Sequence, residues 1–324
     1  MNAQELHSYL AEPLRRFIEL RRLAGTDYDS QARLLGYFDR FLAERGLTEP
    51  RLTREIVEAY QQTLERLRPR TRDNRCSVVR QFCEYLSRTD PQSYVPERQR
   101  TRRSENARPR HIYSDTEIQA LLAAAEQLPP ANSLRPQTYR TLLGLLASTG
   151  LRIGEAFALN LEDFHQDQQC LYIAHGKFRK ARWVPLSRST HDALRQYVQL
   201  RRRRAPNTPD APLLVNQRGR RLCHPTVYHT FRQLLRQCGM EHHPHTGPRI
   251  HDFRHAFAVR RLLAWYRDGQ DVNARLPWLA TYLGHVNIQS TQVYLQATAE
   301  LLQEVERRFH DHYRQHVQSS GEPQ

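Results

Sequence analysis

The chain has 324 residues, 49 of them basic and 34 acidic, giving a formal net charge of +15 at pH 7. That length exceeds a single ordinary domain and predicts two. No run approaches the roughly 18 apolar residues a membrane helix needs, and the acidic, polar start is unlike a secretory leader.

The positive surplus is not confined to a tail. Residues 1–110 hold 22 arginines against 16 acidic residues, and the remainder holds 27 basic against 18 acidic, the distribution expected if both halves grip a polyanion. The first hundred residues read as helices. Leu34, Leu35, Phe38, Phe41 and Leu42 follow a helical spacing up to Gly46, and Ile56, Val57, Tyr60, Leu64 and Leu67 repeat it. A third helix is expected to begin near Thr71 and to bury Val78, Val79, Phe82 and Leu86, leaving Arg72 and Arg80 off that face. Residues 96–111 carry prolines and arginines without apolar periodicity and read as an interdomain linker. Ser114 through Glu117 form a capping box that opens the next helix, with Ile118, Leu121 and Leu122 inward.

Beyond that point the pattern is mixed. A helix through Leu142 to Ser148 is expected to stop at Gly150, with Arg152 opening another and Glu155 one turn on. Leu171–Ile173 and Trp183–Leu186 read as two short strands flanking His175 and Gly176, and Leu213–Val215 reads as a third. Everything later looks helical, including 299–317, where Leu301, Leu302, Val305 and Phe309 recur at helical spacing. Arg201 to Arg204 reads as a helix end. The five cysteines, at 76, 83, 170, 223 and 238, are odd in number with no CxxC spacing, so neither a disulfide framework nor a zinc site is indicated, and a reducing cytoplasm fits. The histidines at 242, 243, 245 and 251 match no usual zinc spacing either, and no metal site is expected.

Of the 49 basic residues only Lys177 and Lys180 are lysines. In a chain that otherwise uses arginine for positive charge, a lysine points to a task guanidinium cannot perform, since an ammonium can give up a proton and a guanidinium effectively never does.

Five short segments then stand in order: Ser148 to Glu155 (STGLRIGE), His175-Gly176-Lys177, His251 to His255 (HDFRH), Leu283-Gly284-His285, and Tyr294 nine residues later. Together they closely resemble the tyrosine recombinase (phage integrase) family, strongly over about 112–298 and moderately before that. The resemblance implies a mainly α, multi-domain fold: a small helical core-binding bundle of SAM-like form over 1–95, the linker 96–111, and a mixed α+β catalytic domain over 112–324 with a small antiparallel sheet and a C-terminal helix. It also implies the chemistry. Arg152 and Arg254 would hold the nonbridging oxygens of a scissile phosphate, for which the guanidinium fork is suited, with Glu155 holding Arg152 in place. Lys177 would protonate the departing 5′ oxygen. The pattern departs at Phe178, where a second glycine often stands, which leaves Lys180 as the alternative acid. His251 and His285 would contact the phosphate and help move the proton of the nucleophile, Tyr294.

Arg72, Arg75 and Arg80 of the third helix and Arg102 and Arg103 of the linker would meet DNA phosphates. The expected activity is site-specific recombination through a 3′-phosphotyrosine bond, without cofactor. The implied partners are duplex DNA bearing specific recombination sites, further copies of the chain in a tetrameric synapse, and companion recombinases of the same mobile element, all in the nucleoid-associated cytoplasm. A type IB topoisomerase-like relaxing enzyme and a non-catalytic DNA-binding accessory protein are the alternatives. No separate arm-binding domain is expected before the bundle. Arg275 to Trp278, leading into Tyr282 and the Leu-Gly-His turn, resembles recombinases of transposons and of tandem recombinase trios.

The lysine reading makes a chemical prediction. Lys177→Arg should retain DNA binding and lose cleavage by about 10² to 10⁴. A substrate whose bridging 5′ oxygen is replaced by sulfur needs no protonation of its leaving group and should recover most of that rate; rescue confined to Lys180 variants would transfer the role.

Overall fold

The structure is a computed structural model, described for residues 5–25, 28–46, 51–98, 111–174, 181–240, 247–285, 289–292 and 294. The chain divides into two compact units, Met1–Ala107 and Arg108–Gln324.

In the first unit α1 (Ala11–Leu23), α2 (Asp29–Glu44), α3 (Arg54–Thr63) and α4 (Pro69–Leu86) enclose one apolar core. The expected faces are the buried ones: Leu35, Phe38 and Leu42 of α2, Val57 and Tyr60 of α3, and Val78, Val79, Phe82 and Leu86 of α4. Aromatic rings knit them together, with Phe38 and Tyr60 edge-on at 4.8 Å and Phe17 and Phe82 at 5.7 Å. Helix α4 starts two residues before Thr71, at Pro69. A proline is no loss in the first turn, where the missing N–H has no helical partner anyway. The buried carboxylate of Asp39 accepts from the backbone of His7 and Ser8 at 2.7 and 3.1 Å and so fixes the segment leading into α1.

The second unit begins with α5 (Asp115–Glu126), whose capping box forms as expected: the Ser114 hydroxyl accepts from Glu117 N at 3.1 Å, and Glu117 accepts from Ser114 N at 2.7 Å. Helix α6 (Arg135–Thr149) is the central element of this core, burying Leu142, Leu143, Leu145 and Leu146, and the short α7 (Ile153–Ala158) follows it. Next come β1 (Phe164–His165), β2 (Cys170–Ile173) and β3 (Arg182–Pro185), an antiparallel sheet in the order β1-β2-β3 that pairs Leu171 with Val184 and Ile173 with Arg182. Helices α8 (Arg188–Arg202), α9 (His224–Gln237), α10 (Asp252–Arg267), α11 (Val272–Leu283) and the single turn α12 (Gln289–Gln292) complete the described residues.

The expectation for Leu213–Val215 fails. All three residues are fully buried, and the segment makes only isolated bridges, while the sheet takes its third strand from Phe164–His165. The reason lies in where its amides go: Leu213 N donates to the Leu159 carbonyl at 2.8 Å and Val215 N to the Tyr197 hydroxyl at 3.2 Å, so no ladder is needed to satisfy them. Arg201, expected in a helix end, is indeed in the last turn of α8. It is fully buried, donating to the Pro212 carbonyl at 3.0 Å and to Asn207 at 3.2 Å. The expected C-terminal helix over 299–317 lies outside the described residues.

Gly150 ends α6 with a φ of +63°. A Cβ there would stand 2.6 Å from Phe257 Cδ1, whereas at Gly239, with φ +67°, nothing lies within 4 Å. Gly239→Ala should therefore cost about 1 kcal/mol, the backbone term alone, and Gly150→Ala at least about 2 kcal/mol, because the ring must also move. All three tryptophans lie in the second unit, so urea unfolding followed by tryptophan fluorescence reads both variants; equal costs would show that the Phe257 contact is easily relieved.

Candidate active site

The left-handed turn at Gly150 delivers Arg152 to the head of α7. Glu155, one turn later, accepts from the Arg152 backbone N–H at 2.9 Å and from its guanidinium at 2.7 Å. The same guanidinium reaches across to the end of α11, donating to the carbonyls of Leu283 at 3.4 Å and Gly284 at 3.0 Å.

Arg254 arrives from the first turn of α10. It is buried and donates to the Gly150 carbonyl at 2.8 Å and the Leu283 carbonyl at 2.5 Å. Two arginines 102 positions apart thus converge on one carbonyl oxygen. The turn before α10 is set by Asp252, fully buried, which accepts from the backbone N and guanidinium of Arg249. Tyr113 steadies it from α5's side, with its hydroxyl on the Arg249 carbonyl at 3.1 Å and its ring stacked on Phe253 at 4.4 Å.

A third guanidinium completes this arrangement. Arg182, on β3, grips both oxygens of Glu155 at 3.1 and 2.8 Å and gives its Nε–H to the Tyr282 carbonyl at 2.8 Å. Burial works to raise the Glu155 pKa, but the hydrogen bond and charge of Arg182, joined by Arg152, overcome it and hold the carboxyl below its ordinary value. The carboxylate is therefore charged at neutral pH. Against its single negative charge stand three guanidiniums.

The histidines feel the surplus. Gly284, at φ +66°, turns the chain out of α11 and presents His285, whose Nδ1 lies 2.7 Å from the Thr291 hydroxyl. Burial, then the charges of Arg254, Arg152 and Arg182, lower its pKa to about 4. His251 keeps part of its surface open to solvent, yet the packing around its ring and the charge of Arg254 lower its pKa too. Arg254 itself is pushed down to about 10 by burial and by Arg152. Tyr294 is buried, with its ring 6.1 Å from that of His285 and 5.3 Å from that of His255, which in turn lies 5.1 Å from His251.

Five of the six residues singled out for catalysis, Arg152, His251, Arg254, His285 and Tyr294, therefore lie in one cluster with Glu155. The sixth, Lys177, lies outside the described residues, as do Lys180, Arg102 and Arg103. On α4, Arg75 lies over the Tyr37 ring at 4.6 Å, and Arg80 bonds the Pro96 carbonyl at 2.9 Å and Glu84 at 2.8 Å, while Arg72 is half-buried. Tyr282, the tyrosine nearest to the Leu-Gly-His turn on its other side, stacks on Phe257 at 5.5 Å. Arg182 was missed, although a signal existed. In a strand whose Val184 faces the core, the residue two before it shares that face, and a cation there requires an anion. Starting the strand at Trp183 hid it.

The sequence profile of the phage integrase family matches residues 112–300. The protein named "Putative integrase/recombinase y4rB" of Sinorhizobium fredii is 38% identical over 308 residues, spanning 93% of this chain and 97% of its own. A second protein of that strain, y4rE, is 35% identical over 94% and 97% of the two chains. The tyrosine recombinase XerC of Bacillus subtilis is 28% identical over 76% of each. Among solved structures, the integrase of the transposon Tn1549 with transposon right-end DNA superposes with a TM-score of 0.65 at 16% identity, covering 92% of this chain and 99% of that one. The XerH recombinase bound to palindromic difH substrate gives 0.63 at 21% identity, over 90% and 83%. At such identities these structures speak to the fold.

The lowered histidines set a pH dependence. The unfolded chain binds a proton at position 285 near the ordinary histidine value of 6.5, and the folded chain only near 4. Folding stability should fall as pH drops through this window, with His251 acting in the same direction. Thermal midpoints measured from pH 7.5, about one unit above the ordinary histidine value, down to pH 4.5 within the window should fall less steeply for His285→Asn than for the parent; parallel curves would refute the shift.

Proposed function

The chain belongs to the phage integrase family of site-specific tyrosine recombinases, and on that premise we propose that Tyr294 attacks a DNA phosphodiester held by Arg152 and Arg254. One observation carries the reading: three guanidiniums face a single carboxylate at the end of α11, beside a buried tyrosine. Each guanidinium has five N–H donors. Arg254 spends two on carbonyls, leaving donors for the nonbridging oxygens as charge develops on them.

The proton inventory supports the same assignment. A neutral His251 can accept a proton, and burial together with the neighbouring arginines favours that form. His285, neutral and bonded to Thr291, donates or accepts at the phosphate without adding a competing charge. Lys177 is assigned the proton for the 5′ oxygen. The phenol oxygen forms a bond to phosphorus, the 5′ oxygen leaves as a hydroxyl, and the phosphotyrosine ester retains the energy of the broken bond, so the exchange balances without a cofactor.

The substrate class follows from the reading: duplex DNA with specific sites, engaged by the arginines of both halves, including Arg72, Arg75 and Arg80, with Arg102 and Arg103 in the linker. Transposition or integration of a mobile element by a tetramer is the proposed setting. The occurrence of two relatives, y4rB and y4rE, in one strain supports companion recombinases. No helix among the described residues is long and apolar enough to cross a membrane, and the proposed compartment is the cytoplasm, on the nucleoid.

The test uses nicked duplexes with a randomised centre, in which the fragment beyond the scissile bond diffuses away and traps the adduct. In the presence of EDTA the chain should form a covalent protein-DNA adduct with a free 5′ hydroxyl, and sequencing the trapped duplexes defines the site. Tyr294→Phe should bind those duplexes and yield no adduct. An adduct that persists in Tyr294→Phe, or that vanishes on chelation, would sink the assignment.

A further inference from the structure

Arg182 is bonded at every nitrogen of its guanidinium, and the chemistry above gives it no task. Its side chain is 9% exposed, and that of Glu155, whose carboxylate it grips, is 4% exposed. All three of its nitrogens are bonded, two to Glu155 and one to the Tyr282 carbonyl. Its place is kept clear by the chain: a Cβ at residue 284 would stand 2.8 Å from its Nη1, so glycine is needed there both for the turn and for this guanidinium.

Charge counting shows what the contact does. Glu155 is required at Arg152, because it caps the start of α7 and orients the guanidinium. Paired with Arg152 alone, its charge would cancel the positive charge meant for the phosphate. With Arg182 present, Arg152, Arg182 and Arg254 against Glu155 leave two positive charges. A phosphodiester carries one negative charge, and after the attacking phenol has lost its proton the five-coordinate phosphorus carries two. Apart from the proton passed to His251, the arginines and Glu155 then match the charge on phosphorus in the transition state and exceed that of the ground state by one, the condition for accelerating the chemical step and not merely binding.

We propose that Arg182 is a positioning residue that offsets the charge of Glu155, so that Glu155 can orient Arg152 without neutralising it toward the scissile phosphate. This rests on the recombinase reading. Arg182 touches no reacting atom; it acts through Glu155 and through the carbonyl end of α11.

Two single variants of the full chain separate charge from scaffold. Arg182→Gln keeps a hydrogen-bond donor and drops the charge, whereas Arg182→Lys keeps the charge and loses the fork. Each is assayed for adduct formation on the nicked duplex captured by the parent chain, once with the natural scissile phosphodiester and once with a methylphosphonate, in which an uncharged methyl replaces the anionic oxygen. On the phosphodiester Arg182→Gln should be slower by about 10² or more and Arg182→Lys by no more than about tenfold. On the methylphosphonate, whose five-coordinate phosphorus carries one negative charge and not two, the gap between Gln and Lys should shrink at least about tenfold, again the scale of one charge-stabilising donor. The double variant Arg182→Gln/Glu155→Gln, which restores the two-charge surplus, should recover a substantial part of the phosphodiester rate and covers the case in which a lone buried carboxylate unfolds the single variant. Equal deficits on both substrates, or a double variant no faster than Arg182→Gln, would reduce Arg182 to a scaffold residue and overturn the proposal. Failure of the parent chain to capture any duplex would overturn the recombinase reading itself, and this proposal with it.

Discussion

Everything at the site depends on how the last turn of α11 ends. A helix leaves its final carbonyls without partners and carries partial negative charge there. Here the carbonyls of Tyr282, Leu283 and Gly284 are taken by Arg182, by Arg152 with Arg254, and by Arg152. Guanidiniums suit this because each is a flat fork that can serve two or three acceptors in fixed directions, which an ammonium cannot do. The left-handed Gly284 follows from the same requirement, since it turns the chain away from the helix axis and puts no Cβ into the space of Arg182. Secondary structure, side-chain chemistry and the choice of glycine are consequences of one contact.

That contact leaves the site electrostatically unbalanced. Burial, and after it the clustering of three guanidiniums around one carboxylate, disfavours further positive charge, which is why Arg254, His285 and His251 are all shifted in the direction of losing a proton. Such a cluster costs stability in the free protein, and an anion placed among the arginines reverses the cost. On the proposed reading, phosphate binding and the release of that strain are the same event. The histidines stay neutral until an anion arrives, so neither adds a charge that would hold the phosphate too firmly in its ground state.

The readability of this chain divides along physical lines. The helical faces of the first unit were legible because each buried stripe repeats at the helical period, and Asp39 was not, because a lone carboxylate on a helix carries no mark of the amides it will cap. In the second unit the segments around Arg152, His251, Arg254, His285 and Tyr294 were legible because together they resemble the family's signature and because left-handed turns restrict the residue type at Gly150 and Gly284. The sheet was harder. Leu213–Val215 has the apolar look of a strand, but what decides a strand is a partner for its amides, and those were taken by Leu159 and by the hydroxyl of Tyr197. Phe164–His165, only two residues long, offers too short a stretch for any period to show. Arg182 is intermediate: a strand begun one residue earlier shows its alternation with Val184, whereas its partner, 27 positions earlier, carries no such mark.

The carbonyl contacts also explain why such a site has so short a signature. A backbone oxygen is supplied by any residue, so Tyr282 and Leu283 present acceptors without their side chains being specified by that task; packing against Phe257 and burial in the core choose them instead. The identities that chemistry does specify are the donors and the one residue that must be glycine. Since Arg152 and Arg254 meet at the same oxygen and Arg152 and Arg182 share the same carboxylate, no member can move without displacing another. Substitutions within this set should couple and not add, so the group behaves as one unit built from α7, β3, α10 and the end of α11, and the energy of holding any single arginine cannot be assigned to that arginine alone.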